Sequence, residues 1–136
     1  MTLFVDASAI VAMIAREPEA WHFSHRMDWE TERLTSAVAL WEAVRAVAGV
    51  RDVELAEART LVADFVRDAR LRIVPIAAEE AELALDAHQH CGKGVHSAAL
   101  NMGDCFSYAC TRRHDAIILF KGQDFAQTDL KDAMLE

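Results

Sequence analysis

Four carboxylates in this chain sit where an apolar run gives way to a helix or a loop. Asp6 closes the short run Thr2–Val5, and Glu42 interrupts the stretch Ala37-Val-Ala-Leu-Trp41 and Ala43-Val44. Asp104 stands near the start of a predicted helix, and Asp124 follows the most hydrophobic run, Ala116-Ile-Ile-Leu-Phe120, by a few residues. Acids gathered in one pocket repel each other, and their pKa values rise unless a divalent cation is bound. Oxygen-only donors select Mg²⁺ or Mn²⁺ over zinc. Mg²⁺ usually takes one or two protein carboxylates, with waters and a substrate phosphate completing its octahedron.

Each acid also has a simpler reading. Asp6, two residues before Ser8, can cap the first helix. Asp104 can be the third helical residue answering a cap at Asn101. Asp124 can be a turn residue after Gly122, and Glu42 can pair with Arg45 on a helix surface for only about 0.2–0.5 kcal/mol. Glu42 is the most informative, because an unpartnered carboxylate among apolar neighbours costs several kcal/mol and calls for a cation.

A second cluster, His88-Gln-His90-Cys91 with His96, contains zinc-type ligands at a spacing that matches no standard site, and His88 and His90 diverge on a helix. Surface histidines are the plainer reading. Trp21, Trp29 and Trp41 read as packing or partner-contact residues rather than base-stacking platforms.

The elements that must position these groups alternate. The run Thr2–Val5 predicts a strand, Ala7–Ala15 a helix ended by Glu17-Pro18, and Glu19–Glu30 a peripheral helix with a broken apolar face. Leu34–Ser36 predicts a very short strand and Ala37–Gly49 a mostly buried helix ended by its glycine. Val53–Ala69 predicts an amphipathic helix, Arg72–Ile76 a strand, and Ala77–His90 a helix with acids in its first turns. After a loop over Cys91–Asn101, a helix from Gly103 to about His114 leads into a strand, Ala116–Phe120, buried on both faces. This alternation predicts an α/β three-layer sandwich with a central, mostly parallel sheet, whose ligand site lies at the C-terminal strand edge near the topological switch point.

With 136 residues, 53% of them hydrophobic, the chain fits one domain over 1–136 with an ample core. No apolar run approaches the roughly 20 residues needed to cross a bilayer. The N-terminus lacks the basic start of a signal peptide, so a cytoplasmic location is expected, with no membrane partner. Cys91, Cys105 and Cys110 form no C-x-x-C and are expected to be reduced. A net charge of −8 disfavours broad binding of nucleic acid, which depends on neutralising phosphates. Any action on RNA would rest on metal and on local bases; Lys93, Arg112, Arg113 and Lys121 flank the C-terminal acids.

Three motifs give the chain a resemblance to the PIN-domain family, and within it to the VapC toxins of bacterial type II toxin–antitoxin systems. Phe4-Val-Asp6-Ala-Ser8-Ala-Ile-Val-Ala resembles the family's first motif, and Thr35-Ser36 followed by Glu42 is similar to the second. The most specific match pairs Leu100-Asn-Met-Gly-Asp104-Cys-Phe-Ser-Tyr-Ala109 with Leu119-Phe-Lys-Gly-Gln-Asp124-Phe-Ala-Gln-Thr-Asp129. By this resemblance Asp6 and Asp104 are direct Mg²⁺ ligands, while Glu42 and Asp124 complete the acidic pocket. Ser8, Asn101 and Thr128 are supporting hydrogen-bonders, and Asp129 is an outer acid or a structural turn residue. Thr111-Arg112-Arg113 departs from the small residues common there without touching the acids.

The resemblance implies an Mg²⁺-dependent endoribonuclease, an RNA substrate, a cognate VapB-type antitoxin that places a basic residue among the acids, and a homodimer. Two rival readings come from other classes. A phosphatase of the haloacid-dehalogenase type would use Asp6 as nucleophile, but it needs a second acid where Ser8 stands. A non-catalytic scaffold would use the acids only as helix caps.

Overall fold

The computed structural model describes residues 1–136. The elements run β1 (Thr2–Val5), α1 (Ala7–Ile14), α2 (Ala20–Met27), β2 (Glu32–Ser36), α3 (Ala37–Val50), α4 (Leu55–Asp68), β3 (Arg72–Val74), α5 (Ala78–Cys91), α6 (Met102–Arg113) and β4 (Ile117–Leu119). A single 3-10 turn, Ala133–Leu135, follows.

All four strands are parallel, in the order β3-β2-β1-β4, and the six helices flank the sheet, as the predicted sandwich requires. The chain steps outward from β1 to β2 to β3 and then returns to lay β4 on the other side of β1. The switch point therefore lies between β1 and β4, whose ends are in register at Val5 and Leu119. Beyond Val5, the amide of Asp6 still donates to the Leu119 carbonyl at 3.0 Å, which pins Asp6 to the mouth of this crevice. On the other flank the Thr35 hydroxyl, fully buried, donates to the Val5 carbonyl at 3.0 Å.

Ile117, Ile118 and Leu119 are buried to within 1% of completely, as a strand covered on both faces must be. Each such side chain contributes about 1.5–3 kcal/mol through burial. They belong to a continuous cluster of 33 buried apolar residues that reaches every helix. The outer edge of β4 is closed by the Ile118 amide, which donates to the Lys131 carbonyl at 3.0 Å. One charged pair lies inside: Arg26 on α2 meets Glu30 at 3.0 Å and donates to the Ala133 carbonyl at 2.8 Å, clamping the C-terminal turn to α2. Glu30 also meets the N-terminal amine at 2.9 Å, so it is removal of Glu30 that would strand a buried charge, the Arg26 guanidinium, at a cost of about 3–5 kcal/mol. No helix is long and apolar enough to cross a membrane.

Several boundaries differ from expectation for physical reasons. The edge strand β3 stops at Val74 because Pro75 has no amide to donate, and two of its three residues are exposed. The second helix covers only Ala20–Met27 and buries just Phe23, Arg26 and Met27. The third helix is not mostly buried: only Ala39, Ala43 and Val47 are, one stripe at four-residue spacing, and Trp41 and Val50 are exposed. Its many apolar residues concealed that spacing.

Gly49 does not end α3 either. The helix runs through it to Val50, and Asp52 takes the left-handed conformation at φ 50°. The Val53 amide reaches back to the Ala48 carbonyl at 3.1 Å and the Asp52 amide to the Gly49 carbonyl at 3.3 Å, a Schellman ending. The same pair of bonds closes α1 at Arg16 (φ 55°), α4 at Arg70 (φ 56°) and α6 at Asp115 (φ 49°). Four helices thus end on a left-handed residue that carries a Cβ, at about 1–2 kcal/mol each for an ordinary side chain. Arg70 is exposed, and its side chain bonds nothing. Arg70→Gly is predicted to stabilise the fold by on the order of 1 kcal/mol after the added freedom of the unfolded chain is counted, or roughly 3–5 °C in thermal midpoint. A lower midpoint by calorimetry would refute the strain at this position.

Candidate active site

At the switch point a cavity of about 750 Å³ opens at the C-terminal ends of β1 and β4. Asp6, Glu42, Asp104 and Asp124 all line it, drawn from four separate segments.

Asp6 serves the helix and the cavity with different atoms. Its Oδ2 accepts from the Ser8 amide at 3.0 Å and from the Ser8 hydroxyl at 2.7 Å, capping α1. Its Oδ1 is buried and has no hydrogen-bond partner. Buried polar atoms are almost always paired, so an orphaned carboxylate oxygen facing an acidic cavity marks a place for a cation. Ser8 also accepts, through its hydroxyl oxygen, from the Lys121 amide at 3.0 Å, tying the segment after β4 to the start of α1.

Asp104 repeats the division of labour. Its amide donates to Asn101 Oδ1 at 2.8 Å, while its own Oδ2 accepts from the Asn101 amide at 3.1 Å, a reciprocal cap that leaves Oδ1 free. Asn101 therefore supports the site by setting the angle of α6. Glu42, in the second turn of α3, lies against the first turn of α6 at Gly103. A Cβ at that position would stand 2.0 Å from Glu42 Oε2, so only glycine leaves the carboxylate room. Asp124 sits on the loop after β4, which turns at Gly122 with φ 102° and is anchored by Phe125 packed edge-on against Phe120 at 5.3 Å.

Crowding shows in the titration of these groups. Burial, together with the charge of Asp6, raises Glu42 to about 7. Burial raises Asp104 from 3.8 to about 7 against the opposing Asn101 bond, with Asp124, Asp6 and Glu42 adding repulsion. No cation of the chain offsets them. Arg45 does not pair with Glu42; its guanidinium lies 4.7 Å over the ring of Trp41. Of the four basic residues expected near the acids, only Lys121 lines the cavity, and Glu17 and Glu19 hold it at 3.2 and 3.5 Å. Arg113 pairs with Glu79 at 2.9 Å, Arg112 with Asp129 at 3.5 Å, and Lys93 faces a different hollow.

Two of the supporting residues lie elsewhere. Thr128 donates to the Phe125 carbonyl at 2.7 Å and so folds the loop that carries Asp124. Asp129 accepts from the Tyr108 hydroxyl at 2.7 Å and does not line the acidic cavity. The zinc alternative does not assemble: His90 bonds the Asp86 carbonyl, His96 accepts from the Ala98 amide, and no three ligand-type residues converge. The tryptophans are not packing residues, since Trp21, Trp29 and Trp41 are 67%, 65% and 59% exposed. Glu17, Trp41 and Arg45 also line the cavity and Gly103 lies against Glu42, places for which the sequence suggested other roles. The glycine left a trace, in the Gly directly before Asp104.

The donor set fits Mg²⁺ or Mn²⁺. It is all oxygen, holds one orphaned atom and two carboxyls whose charge is suppressed, and lacks internal neutralisation. Four acids face the cavity, yet no three of them are set to enclose an ion unaided. That spacing suits a hard cation completed by water and phosphate.

A raised carboxyl pKa means that the folded state holds protons the unfolded chain has released, so these groups cost stability as pH climbs from about 4 to about 7. Without divalent metal, Asp104→Asn is predicted to gain stability relative to the unmodified chain over that window. Adding Mg²⁺ or Mn²⁺ should narrow the gap above pH 7. Denaturant melts at pH 5 and pH 8 check this, and a gap independent of pH would mean that the carboxyls are not crowded.

Comparison with known proteins agrees with this geometry. A family model described as the PIN domain matches residues 3–131. Ribonuclease VapC30 of Mycobacterium tuberculosis is 32% identical, with 98% of this chain and 99% of the relative aligned. A VapC ribonuclease of Mycobacterium bovis shows the same identity and coverage. Another, from Rhizobium meliloti, is 36% identical over 93% of this chain and 98% of the relative. Matched along nearly its whole length, with its four acids meeting at the switch point of a parallel sheet, the chain belongs to the PIN-domain family, in its VapC group.

Proposed function

We propose that the protein is a divalent-metal-dependent endoribonuclease and the toxin of a type II toxin–antitoxin system. The observation that carries this is the orphaned Oδ1 of Asp6 in a cavity where Glu42 and Asp104 cannot all hold their charges unaided. The names of the relatives, VapC ribonucleases, support the substrate class.

Asp6, fixed through Oδ2 by Ser8, and Asp104, fixed through Oδ2 by Asn101, present their other oxygens as ligands for Mg²⁺ or Mn²⁺. Glu42 and Asp124 complete the acidic wall. A cation held there supplies the positive charge that water attack on phosphorus and departure of the leaving oxygen require. In the overall step the water oxygen bonds to phosphorus, a phosphorus–ribose oxygen bond breaks, and the freed oxygen takes up a proton. Burial and crowding favour the protonated forms of Glu42 and Asp104 until a cation neutralises the cavity, so each can hold or release a proton at its wall. The phosphatase alternative finds no support in the site, since Ser8 occupies the position of the second acid and is bonded to Asp6.

Purified protein should cleave RNA with Mg²⁺ or Mn²⁺ and lose that activity with EDTA. Asp6→Asn and Asp104→Asn should each lower the rate by about 10²-fold or more. Gly103→Ala should keep the fold but depress cleavage by displacing the Glu42 carboxylate. Cleavage that survives both EDTA and Asp104→Asn would end this reading.

The same reading assigns a VapB-type antitoxin and a homodimer. An arginine of the antitoxin entering the cavity would stand in for the cation among crowded carboxylates. Light scattering should show a dimer of the chain alone and a larger complex with a cognate antitoxin. A monomer that ignores arginine-bearing antitoxin segments would remove this part.

A further inference from the structure

Beside the carboxylate cavity stand one indole and two guanidinium groups whose placement the fold itself does not explain. Trp41, one residue before Glu42, is 59% exposed, and Arg45 stacks over its ring. The pair forms a wall shared by two hollows. On one side lies the carboxylate cavity; on the other is a second cavity of about 470 Å³, lined also by Leu40, Val44, Leu55 and Arg59 from α3 and α4.

Neither Arg45 nor Arg59 forms an ion pair, although the chain carries 22 acidic residues against 14 basic ones. Lys121, the other cation at the site, is neutralised by Glu17 and Glu19. Arg45 is three residues from Glu42 on the same helix face, yet it is held on the indole. The second hollow therefore offers an apolar lining, an aromatic face and two available guanidiniums, directly against the place where a phosphate would be cut. That combination matches a nucleotide: the base stacks on the indole and the phosphates meet the arginines. A chain of net charge −8 lacks a broad basic surface for RNA, so a few local contacts must hold the strand. A basic protein segment would be repelled by the same two arginines.

Building on the ribonuclease reading, we propose that this second cavity receives the nucleobase next to the scissile phosphate of single-stranded RNA, stacked on Trp41, with Arg45 and Arg59 on the flanking phosphates. Trp41 and the two arginines are then specificity-determining and positioning residues. They would favour an unpaired segment, because a base within a duplex has no free face to stack.

The test uses the full chain carrying Asp104→Asn, titrated with a 2′-O-methyl uridine tetranucleotide in Mg²⁺. Binding is followed by the indole N–H resonance of Trp41, assigned by its disappearance in Trp41→Phe. The Trp41 signal should shift on binding. Trp41→Ala should weaken affinity by roughly tenfold, Trp41→Phe should retain most of it, and Arg59→Ala should reduce the salt dependence by about one counterion. In the otherwise unmodified chain, Trp41→Ala should raise KM for RNA far more than it lowers kcat. Unchanged affinity on Trp41→Ala, or shifts confined to Trp21 and Trp29, would overturn the subsite; cleavage by the unmodified chain would still uphold the ribonuclease reading. Neither binding nor cleavage by the unmodified chain would overturn both. A dimer lost on Trp41→Ala with affinity unchanged would assign this face to a second copy of the chain.

Discussion

Like charges brought together out of water are the constraint on which this structure turns. Asp6, Glu42 and Asp104 face one cavity; burial, with the charge of Asp6, pushes Glu42 to about 7, and burial, with the charges of Asp124, Asp6 and Glu42, does the same to Asp104. A fold accepts such a cost only if the surrounding elements fix the groups rigidly, since any slack would let the carboxylates swing into solvent. Here rigidity comes from using the same residue twice. Asp6 and Asp104 each give one oxygen to a helix cap and one to the cavity. The macrodipole at the two helix starts favours those anions, which offsets part of the repulsion without neutralising any acid by an ion pair.

For Asp6 and Asp104, capping a helix and facing the cavity are therefore not alternatives. A carboxylate has two oxygens and about four acceptor sites, and capping uses one oxygen. Sequence alone could place Asp6 and Asp104 at helix starts, and the β-then-helix alternation could bring them to one sheet edge. It could not show that Asp6 Oδ1 is left orphaned, because that depends on how Val5, Leu119 and Ser8 meet in space. The four-strand parallel sheet was legible for a similar reason: buried β-branched runs such as Ile117–Leu119 have few alternatives.

What escaped the sequence is just as physical. The acidic lip at Glu17, which holds Lys121, and the room that Gly103 leaves for Glu42 are contacts between elements distant in the chain, whereas Trp41 and Arg45 are helical neighbours on α3 whose pairing competes with that of Arg45 and Glu42. No local periodicity encodes the two long-range contacts. The apolar richness of α3 pointed to a buried helix, yet small residues make its core contact: Ala39, Ala43 and Val47 let it approach α1, α4 and α6 closely while Trp41 stays outside. The expected ends at Ala15, Gly49, Ala69 and His114 lie next to the observed ones at Ile14, Val50, Asp68 and Arg113, although the usual glycine punctuation is missing. Arg16, Asp52, Arg70 and Asp115 do the work normally given to glycine.

The strand order also bears on how the protein comes into being. β1 is made before its second neighbour, β4, which follows it by more than a hundred residues, and the acids of the cavity come from positions 6, 42, 104 and 124. A nascent chain emerging from the ribosome can pair β1 with β2 and β3 long before it can form a complete site. No fragment ending before α6 carries either of the last two acids. A set of acids divided in this way is complete only once the segments after α5 have folded back beside β1, so no partial chain carries the whole pocket.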